Sequence, residues 1–198
     1  MVNPVGSLTQ EQKSIIIGTV LGDGYLRIID GRKNAFLEIN HSISEKEYVD
    51  WKYLKLKNIV KSPAIERKGK GKRIAYRFFT RQHPELTRIY RLFYRNGSKI
   101  VPVLKVNPLI IAVWFMDDGS KSYRTYYLNT QRFDIMSQKN LIQILSGQYG
   151  ISSSLNQDKE YYRIRIKQDS AKRFRKLIQE YMIPTMMYKL GDDPVETS

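Results

Sequence analysis

The chain contains 198 residues and no cysteine, and its 34 Lys and Arg against 19 Asp and Glu give a formal net charge of +15. The missing cysteine excludes a disulfide scaffold, a thiolate zinc site, an iron–sulfur cluster and a cysteine nucleophile. The longest apolar run, residues 109–116, is far shorter than the ~20 residues of a membrane-spanning helix, so no membrane partner is expected. The first residues lack a signal-peptide pattern, which predicts a location in the cytoplasm, or in the organellar matrix if the gene is organellar.

The positive charge is concentrated in the middle of the chain. Residues 54–105 contain 15 Lys or Arg, whereas Glu66 and Glu85 are the acidic residues of this stretch. A solvated surface usually mixes the two signs of charge, so this excess favours a polyanion as the partner.

Helical and strand-like patterns alternate along the first half. Thr9 and Gln12 form a capping-box pattern before an apolar helix, and the glycines at 22 and 24 mark its end. The predicted elements of this half, in chain order, are a helix at 9–21, strands at 25–29 and 35–41, a helix at 45–60, strands at 64–67 and 73–81, and a helix at 84–94.

The second half repeats this order. Asn107 is suited to cap a helix that has Pro108 at its first position, and Gly150 is suited to end a later helix. The predicted elements are a helix at 108–116, strands at 122–128 and 129–135, a helix at 138–149, strands at 152–156 and 161–167, and a helix at 170–182. The sequence therefore predicts an α+β fold of two pseudo-symmetric αββαββα lobes, 1–106 and 107–190, each with an antiparallel sheet, and a loose acidic tail at 191–198.

Two of the predicted helices are apolar around their whole circumference, and each leads into an acidic residue. The apolar stretches are 16–21 and 111–116, and the acidic residues are Asp23 and Asp118, each followed by a glycine. Because such helices are buried on all sides, we expect the two to pack on each other and to join the lobes with the carboxylates side by side. A single Gly-Asp-Gly or Asp-Asp-Gly segment is typical of a turn, but here the pattern occurs twice in matching places.

Carboxylates at these positions create an electrostatic conflict. The C-terminus of a helix carries partial negative charge, so two carboxylates there repel the helix ends and each other. Mg²⁺ would remove this repulsion, since it binds through one or two carboxylates together with phosphate oxygens and waters. Asp23 and Asp118 therefore predict a magnesium site for phosphodiester cleavage.

The two segments resemble the paired LAGLIDADG motifs of homing endonucleases. The second half is similar to the single-chain, intron-encoded type in AVWFMDDGS at 112–120, NTQ at 129–131 and MYKL at 187–190. The resemblance covers residues 9–190 and implies a monomer in which Asp23 and Asp118 hold Mg²⁺ and each serve the cleavage of one DNA strand. It implies a site-specific, staggered double-strand break in a long asymmetric target, bound by the two sheets as a saddle.

The resemblance also implies further catalytic residues around the carboxylates. They lie at matching hairpin positions, after the third helix of a lobe or close to Asp118: His41, Gln131, Lys105, Lys189 and Lys121. Lys121 has no counterpart after Asp23, so the two half-sites should differ chemically. Asp117 is a competing candidate for the metal ligand. Successive residues of a helix are rotated by about 100°, so the Asp117 side chain would point in a different direction from that of Asp118, and we rank it second. A structural or surface role is the alternative for His41 and for each lysine.

Alternation along the predicted strands indicates which side chains face DNA. Arg73, Arg77 and Arg81 fall on one side of their strand, and residues 163–167 repeat this pattern in the second lobe. A two-stranded ribbon fits the major groove, where arginine pairs with guanine. The complete set of predicted DNA contacts is Arg27, Arg32, Lys33, Arg73, Arg77, Arg81, Tyr123, Thr125, Tyr127, Asn129, Arg132, Arg163, Arg165 and Lys167.

Two other functions remain open at this point. A relative built on the same lobes could be an RNA-splicing maturase, with intron RNA as a partner, or a DNA-binding regulator that does not cleave. A basic structural RNA binder is a third interpretation, although it would give no reason for carboxylates at the ends of two buried helices.

Overall fold

A computed structural model describes residues 6–69 and 73–191, so the predicted acidic tail lies outside the described residues from position 192 onwards. By its internal contacts the chain forms two compact units, one up to Arg91 and one from Leu92. The predicted repeat boundary after residue 106 is a separate, sequence-based division and stays a prediction. None of the helices in 6–69 and 73–191 has both the length and the apolar character needed to cross a membrane.

The first unit has the predicted αββαββα order. Its elements are α1 (Gln10–Leu21), β1 (Tyr25–Arg27), β2 (Phe36–Ser42), α2 (Lys46–Lys55), β3 (Ile65–Lys68), β4 (Ile74–Phe79) and α3 (Pro84–Phe93), the last two residues of which fall in the second unit. The four strands form an antiparallel sheet in the order β1-β2-β4-β3. The helix predicted at 45–60 is interrupted: 3-10 turns at Ile43–Glu45 and Lys57–Ile59 flank α2.

The start of the first unit is fixed by polar contacts. Thr9 and Gln12 form the predicted capping box, with two reciprocal hydrogen bonds of 3.1 Å. Glu85 at the start of α3 accepts from the Lys13 ammonium and from the backbone N–H of Leu8, both at 2.7 Å, and these bonds lower the pKa of its carboxyl. His83 accepts from the backbone N–H of Glu85 at Nδ1, 3.1 Å away. The α1 N-terminus is thereby attached to α3.

The second unit repeats the order after a small hairpin, β5 (Tyr94–Arg95) and β6 (Ser98–Lys99), that the sequence patterns did not predict. Its elements are α4 (Pro108–Asp118), β7 (Gly119–Ser122), β8 (Thr125–Leu128), α5 (Ile135–Tyr149), β9 (Ser153–Asp158), β10 (Tyr161–Ile166) and α6 (Gln168–Ile178), followed by 3-10 turns at Gln179–Tyr181 and Pro184–Leu190. The sheet order is β7-β8-β10-β9, again antiparallel. The predicted α+β fold with two antiparallel sheets is confirmed.

The first hairpin of the second unit differs from its prediction. The chain turns at Tyr123, which has a φ of 37°, so one hairpin occupies 119–128 and the strand predicted at 129–135 is wrong. Helix α5 begins at 135 because the Asp134 side chain caps it, accepting from the N–H of Ser137 at 2.6 Å. The prediction missed this turn because it lacks the glycine or asparagine that usually marks a positive φ.

One face of each sheet lies against helices. In β4, Tyr76 and Phe78 are buried, whereas Arg77 between them is partly exposed; in β10, Ile164 and Ile166 are buried, whereas Arg165 is exposed. Helix α2 packs on β2 and β4, and α5 and α6 pack on the second sheet. The predicted alternation of basic and apolar residues therefore leaves a basic face uncovered in each unit.

Glycine follows each of the two carboxylates for a steric reason. A Cβ at Gly119 would overlap the ring and carbonyl oxygen of Phe115 one helical turn earlier, and a Cβ at Gly24 would lie 2.9 Å from the carbonyl oxygen of Thr19. We expect Gly119→Ala to lower the free energy of unfolding by about 1–3 kcal/mol, as other overpacked sites do. Urea denaturation would measure it.

The matched control for this prediction is Gly147→Ala. Gly147 is exposed within α5, and apart from its chain neighbours and the backbone of its own helix nothing lies within 4 Å of an added Cβ. That substitution should raise stability by about 0.5–1 kcal/mol through helix propensity. Equal effects of the two substitutions would contradict the steric explanation.

Candidate active site and nucleic-acid interface

The two acidic residues predicted to bind Mg²⁺ lie directly after the apolar helices of their units. Asp23 follows the C-cap of α1, and its side chain is 33% exposed. Asp118 is the last residue of α4 and is partly exposed, whereas Asp117 is buried. This difference in exposure is consistent with ranking Asp118 before Asp117. The two carboxylates belong to different units, and their predicted meeting stays a prediction.

In the first unit, Asp23 lies beside His41 and a group of ionisable residues. The Nδ1 atom of His41 is 4.0 Å from the Oδ2 atom of Asp23 and 2.9 Å from the Oε2 atom of Glu45. On the other side of the ring, the ammonium of Lys52 lies 3.4 Å from Nε2. His41 and Lys52 are both buried, although Asp23 and Glu45 reach the surface.

The contacts of His41 favour one tautomer of its ring. Lys52, on the Nε2 side, also lies 4.2 Å from the ring centroid of Tyr48. An ammonium donates and cannot accept a hydrogen bond, so Nε2 of His41 is the acceptor and the ring proton lies on Nδ1. His41 therefore donates toward Glu45, and its N–H points to the side where the Asp23 carboxylate lies.

The strand register places Thr130, rather than Gln131, level with His41. Tyr25 pairs with Glu38 and Gly119 pairs with Leu128, so counting from the glycine of each motif gives Thr130 as the residue in the position of His41. The catalytic role of Gln131 stays a prediction. Gln131 donates to the Asp158 carboxylate at 2.8 Å. Thr130 is buried and donates to Gln138 at 3.0 Å.

The predicted catalytic lysines occupy three different environments. Lys189 donates to the carbonyl oxygens of Met116 and Asp117, the latter at 3.0 Å, and so places a cation at the C-terminal end of α4. Lys121 lies in β7, and its ammonium packs against Gly191. Lys105 is exposed in the segment before α4. Of the three, Lys189 is the one whose ammonium lies at the C-terminal end of α4, where it offsets the charge conflict expected there.

The uncovered face of the first sheet carries the predicted arginines. Arg27 and Arg77 lie on either side of Glu38, at 2.7 and 3.8 Å from its carboxylate oxygens. Arg73 borders an open groove on this face together with three residues outside the predicted set, namely Asn40, Arg67 and Lys68. Arg32 and Lys33 are exposed in the β1–β2 connection, and Arg81 lies beyond the end of β4 rather than within the strand.

The second sheet presents part of its predicted set. The guanidinium of Arg163 lies 4.0 Å from the ring centroid of Tyr127, and Arg165 pairs with Tyr127 across the sheet. Residues 123, 132 and 167 are exposed as well, and Asn129 lies just after β8. Thr125 is buried and donates its hydroxyl to the carbonyl oxygen of Ile166, so we remove it from the candidate interface.

The donor set fits magnesium better than a transition metal. Among residues 6–69 and 73–191, no three His, Asp or Glu side chains cluster into a ready-made metal cage. Mg²⁺ retains waters and takes substrate phosphates, so a partly exposed carboxylate such as that of Asp23 or Asp118 fits its requirements. Their role as ligands of the ion stays a prediction.

Comparisons with known proteins agree with this architecture. The chain matches the LAGLIDADG DNA endonuclease family over residues 13–174. It is 29% identical to a probable intron-encoded endonuclease of Wickerhamomyces canadensis, covering 93% of the chain and 85% of that protein. It is 27% identical to the cytochrome b mRNA maturase bI2 of Debaryomyces hansenii, covering 93% of the chain and 75% of the maturase.

A solved structure is similar over nearly the same span. The homing endonuclease I-WcaI bound to its DNA recognition sequence superposes with a TM-score of 0.86 at 28% identity, covering 93% of this chain and 88% of that one. The fold is thus that of a homing endonuclease. The chain belongs to the LAGLIDADG DNA endonuclease family.

Proposed function

We propose that this protein is a site-specific endonuclease that makes a staggered, Mg²⁺-dependent double-strand break in a long asymmetric DNA target. The observation that carries the proposal is the repeated arrangement in each unit: a partly exposed carboxylate at the end of a buried helix, followed directly by a sheet with an uncovered basic face. Because one chain supplies both carboxylates, a monomer is sufficient. Its cytoplasmic or organellar location stays a prediction.

In this mechanism the arginines of the sheets bind the duplex. Phosphate contacts fix the position of the protein, and arginine side chains in the major groove pair with guanine. Arg77 and Arg165 are the central members of the two faces, since each lies within an inner strand of its sheet.

The residues around each carboxylate then have separate tasks. Asp23 and Asp118 would hold the metal, which when bound activates water and stabilises the charge on the phosphate. His41 holds its Nδ1 proton toward Glu45 and Asp23, and Lys189 neutralises carbonyl oxygens at the end of α4. Because His41 has threonine as its counterpart, the two half-sites carry out strand cleavage with different surroundings.

A cleavage assay tests the proposal. Purified protein is incubated with a plasmid that carries the uninterrupted insertion locus, with Mg²⁺ or with EDTA, and we expect a linear product with Mg²⁺ alone. The matched control plasmid carries the same locus interrupted by the inserted element, which should separate the two halves of the target and prevent cleavage. Binding of the intact locus without cleavage in Mg²⁺ would contradict the endonuclease function.

The second candidate function is that of an RNA-splicing maturase, with intron RNA as a partner. The similarity to a cytochrome b mRNA maturase over 93% of the chain favours it. A splicing assay with the host intron transcript tests this function separately, because a maturase would accelerate splicing whether or not the protein cuts DNA.

A further inference from the structure

An apolar groove lies at one end of the otherwise basic sheet of the first unit. It has a volume of about 720 Å³, and its apolar lining consists of Ile29, Phe36 and Phe79. The two phenylalanine rings are 6.0 Å apart, and Ile29 is 50% exposed. The rest of the lining is polar and includes three basic residues, which we call its positively charged rim: Arg32, Lys61 and Arg81, together with Thr80 and Gln82.

The strand register shows that the groove belongs to the uncovered face of the sheet. Phe36 pairs with Arg27, and Phe79 pairs with Glu38. Directly paired residues lie on the same face of an antiparallel sheet, so both rings stand beside the Arg27–Glu38 ion pair. They are therefore part of the surface proposed to contact DNA rather than part of the core beneath it.

We infer that this groove recognises the C5-methyl groups of thymines in the major groove of the target. The inference rests on the proposed DNA binding and names a base that one part of the interface reads. Thymine presents the methyl group among the base edges of the major groove, and apolar side chains such as Phe contact it. The positively charged rim is complementary to the phosphates that flank such a base.

The distance along the strand predicts where these thymines lie. Phe36 is opposite Arg27, four residues after Asp23, and Ile29 is six residues after Asp23. Strand β1 ends at Arg27, and Ile29 lies two residues beyond it. For an extended chain that follows the duplex axis, ~3.3 Å per residue and ~3.4 Å per base pair place the recognised thymines about four to six base pairs from the phosphate next to Asp23.

Removing the methyl group from the DNA provides the test. Bound duplexes are selected from a random-sequence library, and thymines of the selected duplex are replaced one at a time by deoxyuridine, which lacks the methyl group. Burial of one methyl group contributes ~0.8 kcal/mol, so its removal should weaken binding about fourfold. We expect this loss at one or two thymines within the predicted window, the positions about four to six base pairs from the phosphate.

Protein variants assign this effect to the groove. Ile29→Ser and Phe79→Ala should bind the thymine and deoxyuridine duplexes equally well. The matched control is Ile65→Ser, because Ile65 is 56% exposed on β3 of the same sheet but does not line the groove. This control should keep the fourfold discrimination.

The outcomes separate this inference from the proposed function. Tight DNA binding without any deoxyuridine effect in the window, or discrimination that survives both groove variants, would overturn the thymine assignment and leave DNA binding intact. Failure of the wild-type protein to select any duplex would instead contradict the proposed function and also the thymine assignment, which depends on DNA binding.

Discussion

Replacing Asp118 by Asn is expected to abolish double-strand cleavage, with a loss of at least about a hundredfold, while DNA binding is retained. Asparagine keeps the size of the side chain but removes the negative charge that a hard cation such as Mg²⁺ requires of its ligand. Asp23→Asn should have the same effect on the double-strand product. Gel assays with a labelled duplex measure binding and cleavage of each strand in one experiment.

The control for Asp118→Asn is the same substitution at the neighbouring residue. Asp117 is buried, whereas Asp118 is partly exposed, so Asp117→Asn should retain cleavage. Normal cleavage by both Asp23→Asn and Asp118→Asn would show that the metal ligands are assigned wrongly. Loss of cleavage by Asp117→Asn alone would reverse the ranking of the two adjacent carboxylates.

The second large effect concerns Lys52. Its ammonium, 3.4 Å from Nε2 of His41, holds the ring proton on the side of Glu45 and Asp23. Lys52→Met removes the ammonium and keeps an unbranched apolar chain of similar length. We expect cleavage to fall about 10–100-fold, as for other residues that orient groups near a metal, while DNA binding stays unchanged.

Nitrogen NMR separates this positioning role from a structural one. The chain contains two histidines. His41 is expected to carry its proton on Nδ1, whereas His83 accepts at Nδ1 from the backbone N–H of Glu85 and approaches the carbonyl oxygen of Gly6 with Nε2, 3.3 Å away. His83 is therefore an internal reference of the opposite tautomer. Lys52→Met should change the nitrogen shifts of His41 and leave those of His83 unchanged.

An exposed lysine on the same helix is the control. Lys55 forms an ion pair with Glu11 at 2.6 Å, and Lys55→Met should leave cleavage and the His41 shifts unchanged. An Nε2-protonated His41 in the wild-type protein, or full activity of Lys52→Met, would contradict the role given to Lys52.

The sequence predicted best those features that depend on local chemistry. The capping box at Thr9 and Gln12, the Asn107 cap and the αL glycine at 150 set helix ends within a few residues, and all three are present. Period-two alternation likewise identified the buried side of β4 and β10. Such features depend on residues that are close in sequence, so they can be predicted without knowing which distant residues are in contact.

The features that were missed depend on non-local contacts. The local sequence gives no signal for the burial of Lys52, which follows from the packing of α2 on β2, where His41 lies. The register of the second hairpin depends on a turn at Tyr123 with no glycine signal, and counting from Gly119 in this register puts Thr130 rather than Gln131 level with His41. The apolar groove arises because β2 pairs with β4 and brings Phe36 near Phe79.

Glu38 has a consequence for how selectively the first sheet binds. Its carboxylate lies 2.7 Å from the guanidinium of Arg27 and 3.8 Å from that of Arg77, so it attracts both side chains toward the strands before any ligand arrives. Such preorganisation reduces the entropy that these long side chains lose when they engage a matching base sequence. The same carboxylate repels phosphate. A duplex without matching bases offers the arginines only its phosphates, so Glu38 lowers the affinity of the sheet for non-target DNA.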